Sequence, residues 1–560
     1  MDGRGRSLTW ALVAIAAGVL FLWLLAPPPA RRLDASGWPD LSARTVAGAY
    51  HIHTTRSDGH GDRAHVAAAA ARAGLRFIIL TDHGDATRPP DPPAYVDGVL
   101  VLDAVEISTD HGHYVALDMP RAPYPLGGAG DAVVEDVRRL GGFGIVAHPD
   151  SPKPSLRWTG TARPDGLEWL NLDSEWRDET RLRLIRAAAA YLLRPAPALT
   201  MILNRPTPLD ARWPALLAGG RSVALAAADA HGGAGRREED AGRSVAGSVG
   251  IPSYEASFRA FGNRVILERP LSGDAAADAR SVYAAIRRGS VFAAIDGQAT
   301  PALLDFTVEA GFDRSPMGAT LPEDSDATLI VRAVAPAGSE ISIVRDGHVA
   351  AATTHGSELR YVVTGARGAY HVEILAPGAH GLPPIPWLVS NSIYFGESGG
   401  NASRPETPQT SGGVAASIPP FPWRIEKDPS SSAMLRTGEH EATLEYKLGE
   451  GARNSQFVAL ATDLQVRSLT AVDLSLAGDR PVRVWVQLRS ADGSRWGRSY
   501  YVDPAGSALH VPVASLAPLG APRGTSTVQD ATSLLLVVDL TNAQPGRSGT
   551  LRVLRSALVQ

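Results

Sequence analysis

A chain of 560 residues is too long for one compact domain, and its 44% hydrophobic and 20% charged content is a globular composition. With 54 basic against 58 acidic side chains the formal charge is −4, which removes the electrostatic case for a nucleic-acid partner. Cysteine is absent, which excludes disulfides, thiol catalysis and thiolate-held zinc or iron–sulfur sites.

The chain opens with Arg4 and Arg6, followed by Leu8 to Ala26, an uncharged and mostly apolar run closed by Pro27, Pro28 and Pro29. The run is long enough to cross a bilayer as a helix. Residues 1–30 are therefore read as a transmembrane signal-anchor, retained rather than cleaved because the run is long for a signal-peptide core. The bulk of the chain is then expected outside the cytoplasmic membrane, periplasmic or extracellular, with a single pass.

Over residues 46–296, short apolar runs alternate with helical patterns. Predicted strands begin or end near Gly48, His53, Phe77, Thr81, Val99, Ile107, His113, Leu117, Gly144, His148, Leu167, Leu172, Val223 and Asp229. Helices are predicted from Arg63 to Ala73, Asp131 to Leu140, Glu175 to Leu193 and Ala276 to Arg288. This alternation predicts an α/β domain of mainly parallel strands, a barrel or an open sheet, with functional residues at the strand ends. Residues 300–395 read as a small β-sandwich of immunoglobulin size. Residues 396–420, rich in Gly, Ser, Thr and Pro, read as a linker. Residues 421–560 read as a jelly-roll sandwich of carbohydrate-binding type. Its Trp423, Trp485, Trp496, Tyr500 and Tyr501 suit either a glycan-binding face or, the preferred reading for the set, the core.

Most of the 15 histidines fall between His51 and His231. His51 and His53 are two apart at a strand end, where alternate side chains share a side. Asp58 follows in a Ser-Asp-Gly turn. Asp82 and His83, Glu106, His111 and His113, His148, and Asp229 with His231 recur at later strand ends. Imidazole and carboxylate without thiolate suit zinc, manganese or iron, and the supply exceeds one ion's needs. A carboxylate such as Glu106 can bridge two ions. His111 competes with His113 for one ligand place, and His113 is favoured because it begins an apolar strand. His60 and His65 are read as surface residues. Lys153 and Arg157 are candidates to bind an anionic group, although a solvated loop explains them as well. Glu168 and Glu175 are candidate acids. Neither a Walker A loop nor a dinucleotide fingerprint is present.

The segments HIHTTRSDG, FIILTDHGD, VEIS, HGHYVAL, IVAHP and AADAH resemble, in order, the motifs of the polymerase-and-histidinol-phosphatase (PHP) metallohydrolases. PWLVSNSIYF, Pro386 to Phe395, resembles the tail of that family's carbaryl-hydrolase-like branch. The resemblance implies a distorted (βα)7 barrel holding two or three divalent ions. It implies that His51, His53, Glu106 and Asp229 bind one ion, that Glu106 bridges to a second on His113 and His148, and that Asp58, His83 and His231 hold a third. Glu106 and Asp229 are then the catalytic carboxylates, and Asp82 orients a neighbour. The expected activity is hydrolysis of a small-molecule ester by a metal-bound hydroxide, most readily a phosphoester. The same site acting on carbamates, esters or amides is the first alternative, and a cell-envelope binding or scaffold protein with a structural metal-binding barrel is the second.

Overall fold

The structure, a computed structural model, describes residues 26–206, 221–233, 252–396 and 421–560. Positions 366, 440, 453–454, 465–468 and 521–523 fall outside the description, and before residue 26 it includes only positions 10, 13, 18 and 23. Most of the predicted membrane span and of the predicted linker therefore lie outside the described residues. Among the described residues, no helix is long and apolar enough to cross a membrane.

The first βαβ unit follows local chemistry. Strand β1 (Thr45–Tyr50) leads to helix α1 (Arg63–Ala73) and then to strand β2 (Phe77–Leu80), parallel to β1. Asp62 caps α1 by accepting from the His65 amide, and Gly74 ends it at φ 80°, where a Cβ would be strained. The buried face of α1 is Val66, Ala67, Ala69 and Ala70. Small side chains there let the helix lie close on the sheet.

Strands β3 (Ala94–Val96) and β4 (Val99–Asp103) extend this sheet beyond β2. A second, five-stranded sheet comprises β5 (Val105–Thr109), β6 (Gly112–Leu117), β7 (Phe143–Ala147), β8 (Gly166–Asn171) and β9 (Val223–Ala227), paired in that order. Helix α2 (Gly130–Arg139) precedes β7, and helices α3 (Leu172–Asp178) and α4 (Arg181–Tyr191) follow β8. Two isolated parallel bridges, Ile52 with Ala230 and His83 with Glu106, join the two sheets.

Three expectations change here. The strands are mixed rather than mainly parallel, because β5 and β6 form a hairpin across Asp110 and His111, and β6 pairs antiparallel with β7. The helix expected from Glu175 to Leu193 is two, broken where the Thr180 side chain caps α4 by accepting from the Arg183 amide. Among the described residues, the two sheets of the expected barrel are joined by isolated bridges and single hydrogen bonds rather than by a paired ladder.

Strands β10 (Gly262–Ile266) and β11 (Val291–Ala294) continue the first sheet on the other side of β1. Residues of the PWLVSNSIYF tail then extend the same sheet. Leu388–Ser390 pairs with β11, and Gly368–Leu375 and Ile393–Phe395 lie beyond it. Asn391 binds both the N–H and the C=O of Ala224, at 2.8 and 3.0 Å, and Trp387 is wholly buried. A four-stranded antiparallel sheet that includes Leu303–Ala310 and Ala327–Val334 packs over this extension through a shared apolar core. At the C-terminus, a six-stranded and a five-stranded antiparallel sheet enclose a separate core that includes Val484, Val486, Leu534 and Leu536.

Candidate metal centre

The His51–Ile52–His53 segment does not aim its two rings by a regular pleat alone. Strand β1 ends at Tyr50, and His51 stands at φ 63°. His148, directly after β7, has φ 48°, and Asp229, just past β9, has φ 41°. Left-handed backbone costs a non-glycine residue about 1–3 kcal/mol and persists where the surroundings impose it. At all three positions it turns a polar side chain inward between strand ends.

These groups converge on Glu106, which is fully buried. Its Oε2 lies 3.2 Å from His51 Nε2, 3.3 Å from His53 Nε2 and 3.2 Å from His83 Nδ1. Its Oε1 lies 2.7 Å from His113 Nδ1 and 3.3 Å from His148 Nε2. Asp229 Oδ1 stands 3.5 and 3.4 Å from the same nitrogens of His51 and His53, and its Oδ2 is 3.6 Å from His148 Nδ1. On the far side Asp58 Oδ2 faces His231 Nε2 at 3.3 Å and His83 Nε2 at 3.6 Å. The two oxygens of one carboxylate thus address different sets of imidazoles.

The donor set fits divalent cations. His51 Nε2, His83 Nδ1, Glu106 Oε2 and His148 Nδ1 are buried without a hydrogen-bond partner, a costly arrangement for polar atoms unless something else satisfies them. Ligand atoms of His51, His53 and Asp229 lie close enough together to hold an ion, as do those of His51, Glu106 and His148, and those of His53, Asp58 and His231.

Electrostatics inside the cluster are strongly mutual. Burial would raise the Glu106 carboxyl, but His51 and His83 facing it, with hydrogen bonds from His113 and His148, hold it well below the carboxylate range. Asp229 is held down against burial by His51 and His148. Burial would lower the His148 ring, yet Asp229, Glu106 and Glu168 push it up to about 9. His51 is raised well above its ordinary value, against burial, by Glu168, Asp229 and Glu106. At neutral pH the His148 ring carries a proton in the metal-free protein, and a cation must displace it. Metal binding at pH 7 is expected to release protons, and apparent affinity to rise as pH climbs toward 9. Calorimetric titration with manganese in buffers of different ionisation enthalpy measures this; a heat independent of the buffer contradicts it.

The other residues named from sequence divide. Asp82 accepts from the Thr54 amide at 2.7 Å and from the Thr54 and Ser57 hydroxyls, so it shapes the loop carrying Asp58. His111 lies apart, its Nδ1 accepting from the Gly130 amide at 3.0 Å. His60 faces the carbonyl of His231, and His65 packs on Tyr254. Lys153 lines the cavity of about 560 Å³ that opens onto the cluster, whereas Arg157 is held aside by the carbonyl of Ser151 at 2.8 Å. Glu175 is a buried acid bonded by the Asn204 amide, and burial raises its carboxyl to about 9.

Sequence reasoning gave Glu168 no position. Its Oε1 meets His51 Nδ1 at 2.5 Å, and its Oε2 accepts from the His148 amide at 3.0 Å and from Asn171 at 2.8 Å. It fixes the His51 ring and the backbone of His148 at once. Partners of this kind change metal affinity by about 10–100-fold, so Glu168→Gln is expected to weaken metal binding to that extent while leaving the fold intact. Metal titration alongside circular dichroism checks it; unchanged affinity would show that Glu168 is merely buried. Asp173, Trp176 and Arg177 were also missed. They reach the cavity wall from α3, and Asp173 groups with His148 and Asp229. The one available signal was Asn171, whose side chain caps α3 by accepting from the Ser174 amide.

No family model matches this chain, and no curated protein matches it in sequence. Among solved structures, a two-domain protein containing predicted PHP-like metal-dependent phosphoesterase from Bacteroides vulgatus is similar over 65% of this chain and 99% of its own. The pair share 14% identity with a TM-score of 0.28. A family 11 carbohydrate-binding module from a cellulosomal cellulase of Clostridium thermocellum is similar over 24% of this chain and 86% of its own, at 13% identity and a TM-score of 0.20. At such values neither likeness assigns a function.

Proposed function

We propose that the chain is a metal-dependent hydrolase of PHP type, acting on a phosphoester of a small molecule. The observation that carries this reading is Glu106, whose Oε1 and Oε2 face separate histidine groups in one buried cluster. On this reading His51, His53, Glu106 and Asp229 hold one cation, Glu106, His113 and His148 a second, and Asp58, His83 and His231 a third. Bound there, divalent zinc, manganese or iron would supply Lewis acidity and a nucleophile at neutral pH. The residues have their own tasks. Glu106 and Asp229, kept ionised, balance the cationic charge. Glu168 holds the His51 ring in one tautomer. Lys153 stands on the cavity wall as a donor for an anionic substrate group, and Leu172, Trp176, Leu199 and Ile202 give that cavity an apolar side. The bridges at Ile52 and His83 support reading the seven strands β1, β9, β8, β7, β6, β5 and β2 as a distorted ring about the cluster.

The test is a panel of aryl phosphomonoesters, phosphodiesters and carbamates with added manganese, zinc or iron. Turnover of phosphoesters is expected. Turnover confined to carbamates moves the reading to the alternative reaction, and a metal-loaded but inert protein favours the binding role. We also propose that Leu8 to Ala26 anchors the chain in the cytoplasmic membrane with its bulk outside. Recovery of the full-length chain in the soluble cytoplasmic fraction would overturn that. For the C-terminal sandwich, Trp423 is in the core and Tyr501 sits against Arg139. The half-buried Trp496 and Tyr500 also pack against that core and Trp485 against a smaller apolar cluster, so a glycan-binding face would use their exposed edges, which a glycan array tests.

A further inference from the structure

Among the described residues, helix α4 leaves one face without a partner. Its Ala187 and Ala190 are buried against the body of the protein, whereas Leu182 and Ile185 are 70% and 66% exposed. Leu192, just past the helix, is 75% exposed, and Leu193 is also exposed. At 100° per residue, positions 182, 185, 189, 192 and 193 fall on one side. A contiguous apolar stripe on a protein's outside marks a docking surface.

Two observations identify what covers it. First, the stripe adjoins the place where the predicted membrane span meets the folded body. Arg194 Nη1 donates to the carbonyl of Pro27 at 2.6 Å, and its guanidinium lies 5.0 Å from the ring of Trp23. The predicted span therefore joins the folded body beside Arg194, just past the end of α4. Secondly, the helix carries positive charge beside the stripe: Arg183 is paired with Glu179 at 2.7 Å, while Arg181 and Arg186 flank the apolar positions. Arg181 and Arg186 are exposed on the helix itself. Apolar side chains flanked by arginines are the pattern of a helix lying in the plane of an anionic membrane surface, its apolar face about 5–10 Å deep.

We infer that α4, with Leu192 and Leu193, docks on the phospholipid surface of the membrane that holds the N-terminal segment. Leu182, Ile185 and Leu192 enter the acyl boundary, and Arg181 and Arg186 meet lipid phosphates. This rests on the anchored reading above. It also gives the body a fixed orientation, with the α3–α4 side, and thus the Trp176 wall of the cavity, turned toward the bilayer.

The chain has no cysteine, so a single introduced one reports one position. Full-length Ile185→Cys carrying an environment-sensitive fluorophore is reconstituted into phosphatidylcholine vesicles containing phosphatidylglycerol. Val362→Cys, 66% exposed in the sandwich of residues 300–395, is the reference. The expected result is a blue shift and quenching by doxyl-labelled lipid at 185 and neither at 362, with the effect reduced when phosphatidylglycerol is left out. If the protein floats with the vesicles and both positions remain in water, the docking inference falls and the anchor stands. If the protein does not float, both fall. Protection of 185 from iodide without quenching by doxyl lipid means that a second copy of the chain covers the stripe, which also overturns the inference.

Discussion

Replacing His51 and His53 together by alanine is expected to abolish stoichiometric metal binding and to bring hydrolysis to background. Both rings reach Glu106 Oε2 and Asp229 Oδ1 within 3.5 Å, so their loss removes the imidazole side of one site and leaves the shared carboxylate facing fewer cations. Removing a group that stabilises transition-state charge typically costs about 10²–10³ in turnover, and losing the ion that carries this charge costs more. Elemental analysis of the purified variant gives the direct answer, with thermal melts to show that the barrel-like region still folds. Full metal occupancy in a folded variant would remove the centre from the mechanism.

Arg483→Ala is expected to have the largest effect on stability. This fully buried guanidinium comes from the C-terminal sandwich and reaches into α2, donating to Asp136 Oδ2 at 2.7 Å, Asp136 Oδ1 at 3.0 Å and the Ala132 carbonyl at 3.0 Å. Asp136 also accepts from Tyr124 at 2.9 Å and Arg139 at 2.6 Å. Burial would raise Asp136, but Arg483 and Arg139 hold it below its ordinary value. A depressed carboxylate contributes stability above its unfolded pKa and loses it as pH falls through the folded one. Breaking a buried pair from one side costs about 3–5 kcal/mol, because the remaining charge is stranded. Calorimetry is therefore expected to show a lower first transition near neutral pH, and limited proteolysis to release the C-terminal sandwich. A double change of Arg483→Met with Asp136→Leu is expected to recover part of the loss. An unaltered melting profile in the single variant would mean that the two parts are held together elsewhere.

Local signals were legible in the sequence and distant ones were not. Asp62 and Gly74 bound α1 because capping is decided within a few residues. The histidines and acids at strand ends could be named because their residue types and spacing are themselves the signal. Glu168 could not be placed, since its partner His51 is 117 residues away in sequence, and the two meet through the pairing of β8 with β9 and the bridge from Ala230 to Ile52. Alternating strands and helices suggested parallel pairing, but the tight turn at Asp110 and His111, completed by Gly112 at φ 105°, reverses the chain. Arg483 gave no hint of its role, because an arginine in a strand pattern reads as solvated until a second domain covers it.

The tail strand Leu388–Ser390 lies beside β11, so the sandwich of residues 300–395 is spliced into the sheet of the first unit rather than hung from it. Cutting the chain near residue 300 would bare a row of unpaired amides and carbonyls along β11, an invitation to intermolecular strand pairing. The metal-bearing portion expressed alone would be prone to aggregate, and the shortest well-behaved fragment should run to Phe395.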